Sequence, residues 1–88
     1  MRIWFKLVEN MRLLRDETIE DNRQETRTHK IMDALEKACD MFDIAKPIWL
    51  EANEKEFIKR AKTRFTKDNF IEEISFDYFE IHVLEEDG

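Results

Sequence analysis

The sequence predicts a single α+β domain spanning residues 1–88: a small four-stranded sheet carrying two helices, in the order β-β-α-β-α-β. Three observations lead there. Arg2 to Val8 and Ile74 to Leu84 are rich in aromatic and β-branched residues that alternate in period two, the pattern of strands. Ile31 to Phe42 and the stretch after Asn53 place apolar residues at helical spacing. Finally, a chain of 88 residues buries only about 60–65% of the surface its unfolded form exposes, so it supports one small core.

In the first strand Ile3, Phe5 and Leu7 share one face, and Trp4, Lys6 and Val8 share the other. Glu9-Asn10 supplies a turn. Arg12 to Ile19 returns as a second strand with poor alternation and many charges, which suits a sheet edge. A helix begins between Asn22 and His29, where Asn22 with Glu25, Thr26 and Thr28 are candidate caps. Its apolar stripe is Ile31, Ala34, Leu35, Ala38, Cys39 and Phe42, with Lys30, Asp33, Lys37 and Asp40 on the wet side, and Asp43 ends it. Pro47 opens a short third strand, Ile48-Trp49-Leu50. The second helix has Asn53 and Glu56 at capping spacing and Phe57, Ile58, Ala61 and Phe65 on its apolar side.

Asp68-Asn69 marks a turn. The last strand turns Phe79, Ile81 and Val83 one way and Ile74, Phe76, Tyr78 and Leu84 the other, with Glu80 and His82 between. Apolar on both faces, it is central or next to centre. Both helices lie on one side of the sheet. The core then comprises Ile3, Phe5, Leu7, Ile31, Leu35, Ala38, Phe42, Trp49, Phe57, Ala61, Phe79, Ile81 and Val83.

Charge is uneven along the chain. Residues 1–67 hold all 15 bases against 13 acids, and residues 68–88 hold eight acids and no base. The acidic end argues against a nucleic-acid surface there and reads as a solvated strand edge and a frayed tail. No apolar run approaches the roughly 18 residues of a membrane span. The lone Cys39 leaves no internal disulfide, as in a reducing compartment. The only glycine is Gly88. Phosphate loops, dinucleotide fingerprints, nucleophile elbows and calcium loops all need internal glycine, so none is present in its usual form.

Pro47-Ile48-Trp49-Leu50, Arg64-Phe65-Thr66, Asp68-Asn69-Phe70-Ile71 and the acidic end Glu85-Glu86-Asp87 resemble a set of short uncharacterised bacterial proteins. The resemblance implies a bacterial, cytoplasmic origin and carries no activity with it.

Four groups of residues bear on function. Lys59, Arg60, Lys62, Arg64 and Lys67, with Phe65 interleaved, form a basic run suited to phosphates and a stacked base. The same residues also complement a helix C-terminus, opposite Glu51, Glu54 and Glu56 at its start. His29, Asp33 and the distant His82 are too few for a metal centre. Cys39 on the helix stripe is inert packing rather than a nucleophile, and no cofactor is implied. Trp4, Trp49, Phe76 and Tyr78 together exceed what two short helices can bury, and Trp4, Phe76 and Tyr78 are left for a second face. They form the expected interface, with Glu80 and His82 at its rim, pairing two copies as a homodimer. The chain therefore reads as a non-enzymatic protein–protein interaction module, with a small nucleic-acid-associated protein as the alternative.

Overall fold

The computed structural model describes residues 1–87. Four antiparallel strands form one sheet with two helices: β1 (Arg2–Glu9), β2 (Arg12–Glu20), α1 (Arg27–Phe42), α2 (Glu51–Arg60), β3 (Lys62–Phe65) and β4 (Tyr78–Glu85). The sheet order is β2-β1-β4-β3, so β4 is an inner strand and β2 is an edge, as expected. The third strand differs. Ile48-Trp49-Leu50 is not part of the sheet, and the strand instead follows α2, at Lys62–Phe65.

Polar side chains explain that exchange. The Asn69 amide donates to the Ile48 carbonyl at 2.8 Å and to Asn53 Oδ1 at 2.6 Å. Asn53 in turn donates to Thr63 Oγ1 and the Arg64 carbonyl, and accepts from the Leu50 amide. Both asparagines are buried. Ile48 and Leu50 are thus tied down by the two asparagine side chains, together with the Ile48 amide donating to the Asn69 carbonyl, where a strand would use a ladder.

The first helix begins at Thr26, whose hydroxyl accepts from the His29 amide, and ends at Asp43 in the left-handed region. Its stripe packs on the face of the sheet formed by Ile3, Phe5, Phe79, Ile81 and Val83. Phe79 is the hub: its ring lies 5.8 Å from Phe5, 5.8 Å from Phe42 and 6.1 Å from Phe65. Such pairs add roughly 0.5–1.5 kcal/mol each beyond burial. Trp49 and Ala61 pack against the core partly buried, and every other expected core residue is buried. Trp49 stands edge-on to Phe57 and Phe65.

Three further departures have specific causes. Phe70 to Asp77 is irregular, and Phe76 turns into the core, edge-on to Phe70. Asp77 holds that bend: its amide donates to the Val8 carbonyl and its carboxylate accepts from the Asn10 amide. Lys30 is buried, not wet; its ammonium donates to Asp87 Oδ2 and to the Asp21 carbonyl. The acidic end is likewise tied rather than frayed. Glu85 pairs with Arg2, Glu86 with Arg27, and Asp87 with Lys30 and the Met1 amine.

The β1–β2 turn is Asn10-Met11, one residue later than expected, with φ of 51° and 62°. This is the two-residue turn that suits twisted hairpins. Asparagine tolerates the left-handed region; methionine pays about 1–2 kcal/mol there. Met11 is 97% exposed and so gains nothing from packing in return. Met11→Gly is expected to raise stability by about 1 kcal/mol in urea denaturation.

Candidate interface on the open sheet face

With both helices packed on one side, the other face of the sheet is left open. Alternation along β1 turns Trp4, Lys6 and Val8 onto it, and alternation along β4 turns Tyr78, Glu80, His82 and Leu84. The register then builds rows across the strands. Asp16, Lys6, Glu80 and Arg64 stand side by side, and so do Thr18, Trp4, His82 and Lys62. Val8 lies between Leu13 and Tyr78.

Glu80 is the anchor of this face. It is 3% exposed although no helix covers it. Lys6 Nζ reaches its Oε2 at 2.7 Å, and Arg64 Nε donates to its Oε1 at 2.9 Å. Burial pushes the carboxyl up, but the bonds from Lys6 and Arg64 outweigh it and hold Glu80 below the usual range. The cations are also shared with the rings. Lys6 sits 4.2 Å from the Trp4 ring and Arg64 4.1 Å from the Tyr78 ring. The Trp4 indole N–H donates to Asp16 Oδ2 at 2.9 Å, and the His82 ring lies 6.4 Å from Trp4. Trp4, Lys6, Tyr78 and His82 remain half-buried.

Of the expected interface residues, Trp4, Tyr78, Glu80 and His82 therefore share one face. Phe76 does not: the bend before β4 puts it in the core. Glu80 and His82 stand at the middle of the face rather than at a rim. Sequence reasoning missed Asp16 and the neighbouring role of Lys6. Both are readable from alternation once β1 and β2 are paired, whereas Lys62 and Arg64 needed the location of β3.

The basic run is split by the fold. Lys59 and Arg60 close α2, Lys62 and Arg64 lie on the open face, and Lys67 falls in a short 3-10 turn. Phe65 is fully buried and cannot stack on a base. His29 pairs with Glu25 at 2.8 Å instead of Asp33, which Arg23 takes. Among the described residues no group of three or more His, Cys, Asp or Glu is placed to hold a metal ion. Likewise, no helix there is long and apolar enough to cross a membrane.

A concavity of about 280 Å³ lies between the helices, lined by Ile31, Met32, Trp49, Phe57 and Ile58. Arg27, held by Glu86, lies over the Phe57 ring at its edge. The Trp49 indole N–H is buried there without a hydrogen-bond partner among the described residues.

Cys39 is 1% exposed, on the helix side of the sheet. Burial, with Asp40 nearby, pushes its thiol up to about 11. It is expected to react slowly with a thiol reagent in the native protein and rapidly in denaturant; fast native labelling would place it wrongly.

Glu80 also has a pH signature. A carboxyl held low in the folded state stabilises fully above its ordinary value of 4.5. That contribution fades as pH falls through the lower folded value. The stability difference between wild type and Glu80→Gln is thus expected to be full near neutrality and to shrink below pH 4.5. A difference independent of pH in urea titrations would count against the paired carboxylate.

No family model, curated protein or solved structure matches the chain, so its functional reading rests on this surface itself.

Proposed function

We propose that the protein is a non-enzymatic interaction module that binds protein through the open face of its sheet. One observation carries the reading. The helices cover a single face, while the other combines half-buried Trp4, Tyr78 and His82 with charges of both signs. Aromatic residues and arginine are enriched where proteins meet. The charges nearly balance: Arg2, Lys6, Lys62 and Arg64 stand among Asp16, Glu20, Glu80 and Glu85. A balanced face suits a protein partner better than a polyphosphate chain, which favours an excess of cations. The nucleic-acid reading has less support, because Lys6 and Arg64 already bond to Glu80 and Phe65 is buried. A bacterial cytoplasm is proposed as the setting, on the sequence resemblance and on the single buried thiol.

The test is site-specific photo-crosslinking in cells. A photoreactive residue in place of Thr18 or Tyr78 is expected to give protein adducts, and one in place of Lys55 on the wet side of α2 is not. Adducts absent from the sheet face, or equal at Lys55, would overturn the proposal. Adducts lost on nuclease treatment would point to the nucleic-acid reading instead.

A further inference from the structure

We infer that the open face binds a second copy of this chain, about a two-fold axis running parallel to the strands between β1 and β4. The inference rests on the reading of that face as a protein interface and names its partner. Its basis is the order of charges across the sheet. The central row reads Asp16, Lys6, Glu80, Arg64: negative, positive, negative, positive. Reversing an even alternating row exchanges every sign. A two-fold parallel to the strands makes that reversal when two sheets meet face to face. Asp16 then meets the exposed part of Arg64 of the second copy, and Lys6 stands opposite its Glu80, which stays in the bonds to Lys6 and Arg64 of its own chain.

The neighbouring rows agree. Thr18, Trp4, His82, Lys62 reversed brings His82 onto Trp4 and Lys62 onto Thr18. At one end of the face Val8 meets Tyr78, apolar against apolar. At the other, Arg2 meets the Leu84–Glu85 end of β4. A two-fold lying along the rows instead sets like against like on the axis, Lys6 on Lys6 and Glu80 on Glu80, which is repulsive. The charges therefore select one axis. Twisted sheets pack within about 30° of alignment. At strand spacings of about 4.8 Å an edge strand then drifts by only about one residue, within reach of Arg64 and Lys62.

The footprint sets the strength. Four strands about 4.8 Å apart and averaging about seven residues cover roughly 450 Å² per copy. The total of about 900 Å² is below the standard interface of about 1,600 Å². The dimer is therefore reversible and concentration-dependent.

Sedimentation of the full chain tests this from low micromolar to millimolar protein. The mass is expected to rise from 10.8 kDa toward twice that value, less steeply at high salt. Among the described residues Thr18 has no side-chain hydrogen bond of its own to lose, so it is a clean probe of the second copy's Lys62. Thr18→Glu is expected to tighten association and Thr18→Lys to weaken it, each by about tenfold. Asp16 and Arg64 lie on opposite edges of one sheet. Asp16→Lys and Arg64→Glu should each weaken self-association, and mixing the two variants should restore it as a heterodimer.

A mass of 10.8 kDa at every concentration would overturn the inference. So would a dimer indifferent to Thr18 and to the swap. If crosslinking from Thr18 and Tyr78 yields adducts of some other mass, the second copy is wrong while the interaction face stands. If no adduct forms from that face, both fall.

Discussion

The whole arrangement depends on β4 being paired along both edges, to β1 on one side and β3 on the other. Strand side chains alternate, so this pairing decides what each face carries. It sends Phe79 into the cluster with Phe5, Phe42 and Phe65, and it sends Glu80 between Lys6 and Arg64. A slip of one residue would put a carboxylate among phenyl rings and a phenyl ring among cations. Core and charged face therefore specify the same register from opposite sides, and each makes the other's alternative costly.

Without internal glycine, local chain reversals are made by other means. Asn10, Met11, Asp43 and Ala61 occupy the left-handed region, at the hairpin turn and at the ends of both helices. Side-chain carboxylates and amides supply further stops: Asp77 sets the bend before β4, and Asn53 with Asn69 fastens the segment entering α2. The tail is held by the same kind of bond, with Asp87 shared between Lys30 and the Met1 amine.

Much of this was legible from residue patterns. Period-two alternation located β1 and β4, the density of charge marked β2 as an edge, and the stripe from Ile31 to Phe42 located α1. What stayed hidden was governed by contacts distant in sequence. The strand Lys62–Phe65 is four residues long. Its bases fit a helix end as well as a strand, and Ala61 terminates α2 without the usual glycine. Ile48-Trp49-Leu50 has strand-like residues, yet its hydrogen bonds go to Asn69 and Asn53, which no local pattern announces. Only part of the open face was readable, for the same reason. Trp4, Tyr78, Glu80 and His82 follow from alternation, but Phe76 leaves it because Asp77 is tied back to Val8 and Asn10. Lys30 was misplaced because helical periodicity cannot foresee a carboxylate arriving from the far end of the chain.

The pairing of β1 with β4 has a consequence for how the protein is made. On the ribosome β1 and β2 emerge first and can close as a hairpin, with β2 bearing the charges. The inner edge of β1, with Ile3, Phe5 and Leu7 beside it, has no partner until residues 78–85 are synthesised. Contacts of that sequence separation form slowly, because a long loop must close before they contribute. During synthesis the nascent chain thus carries an unsatisfied strand edge next to apolar side chains, the feature that invites chaperones or aggregation.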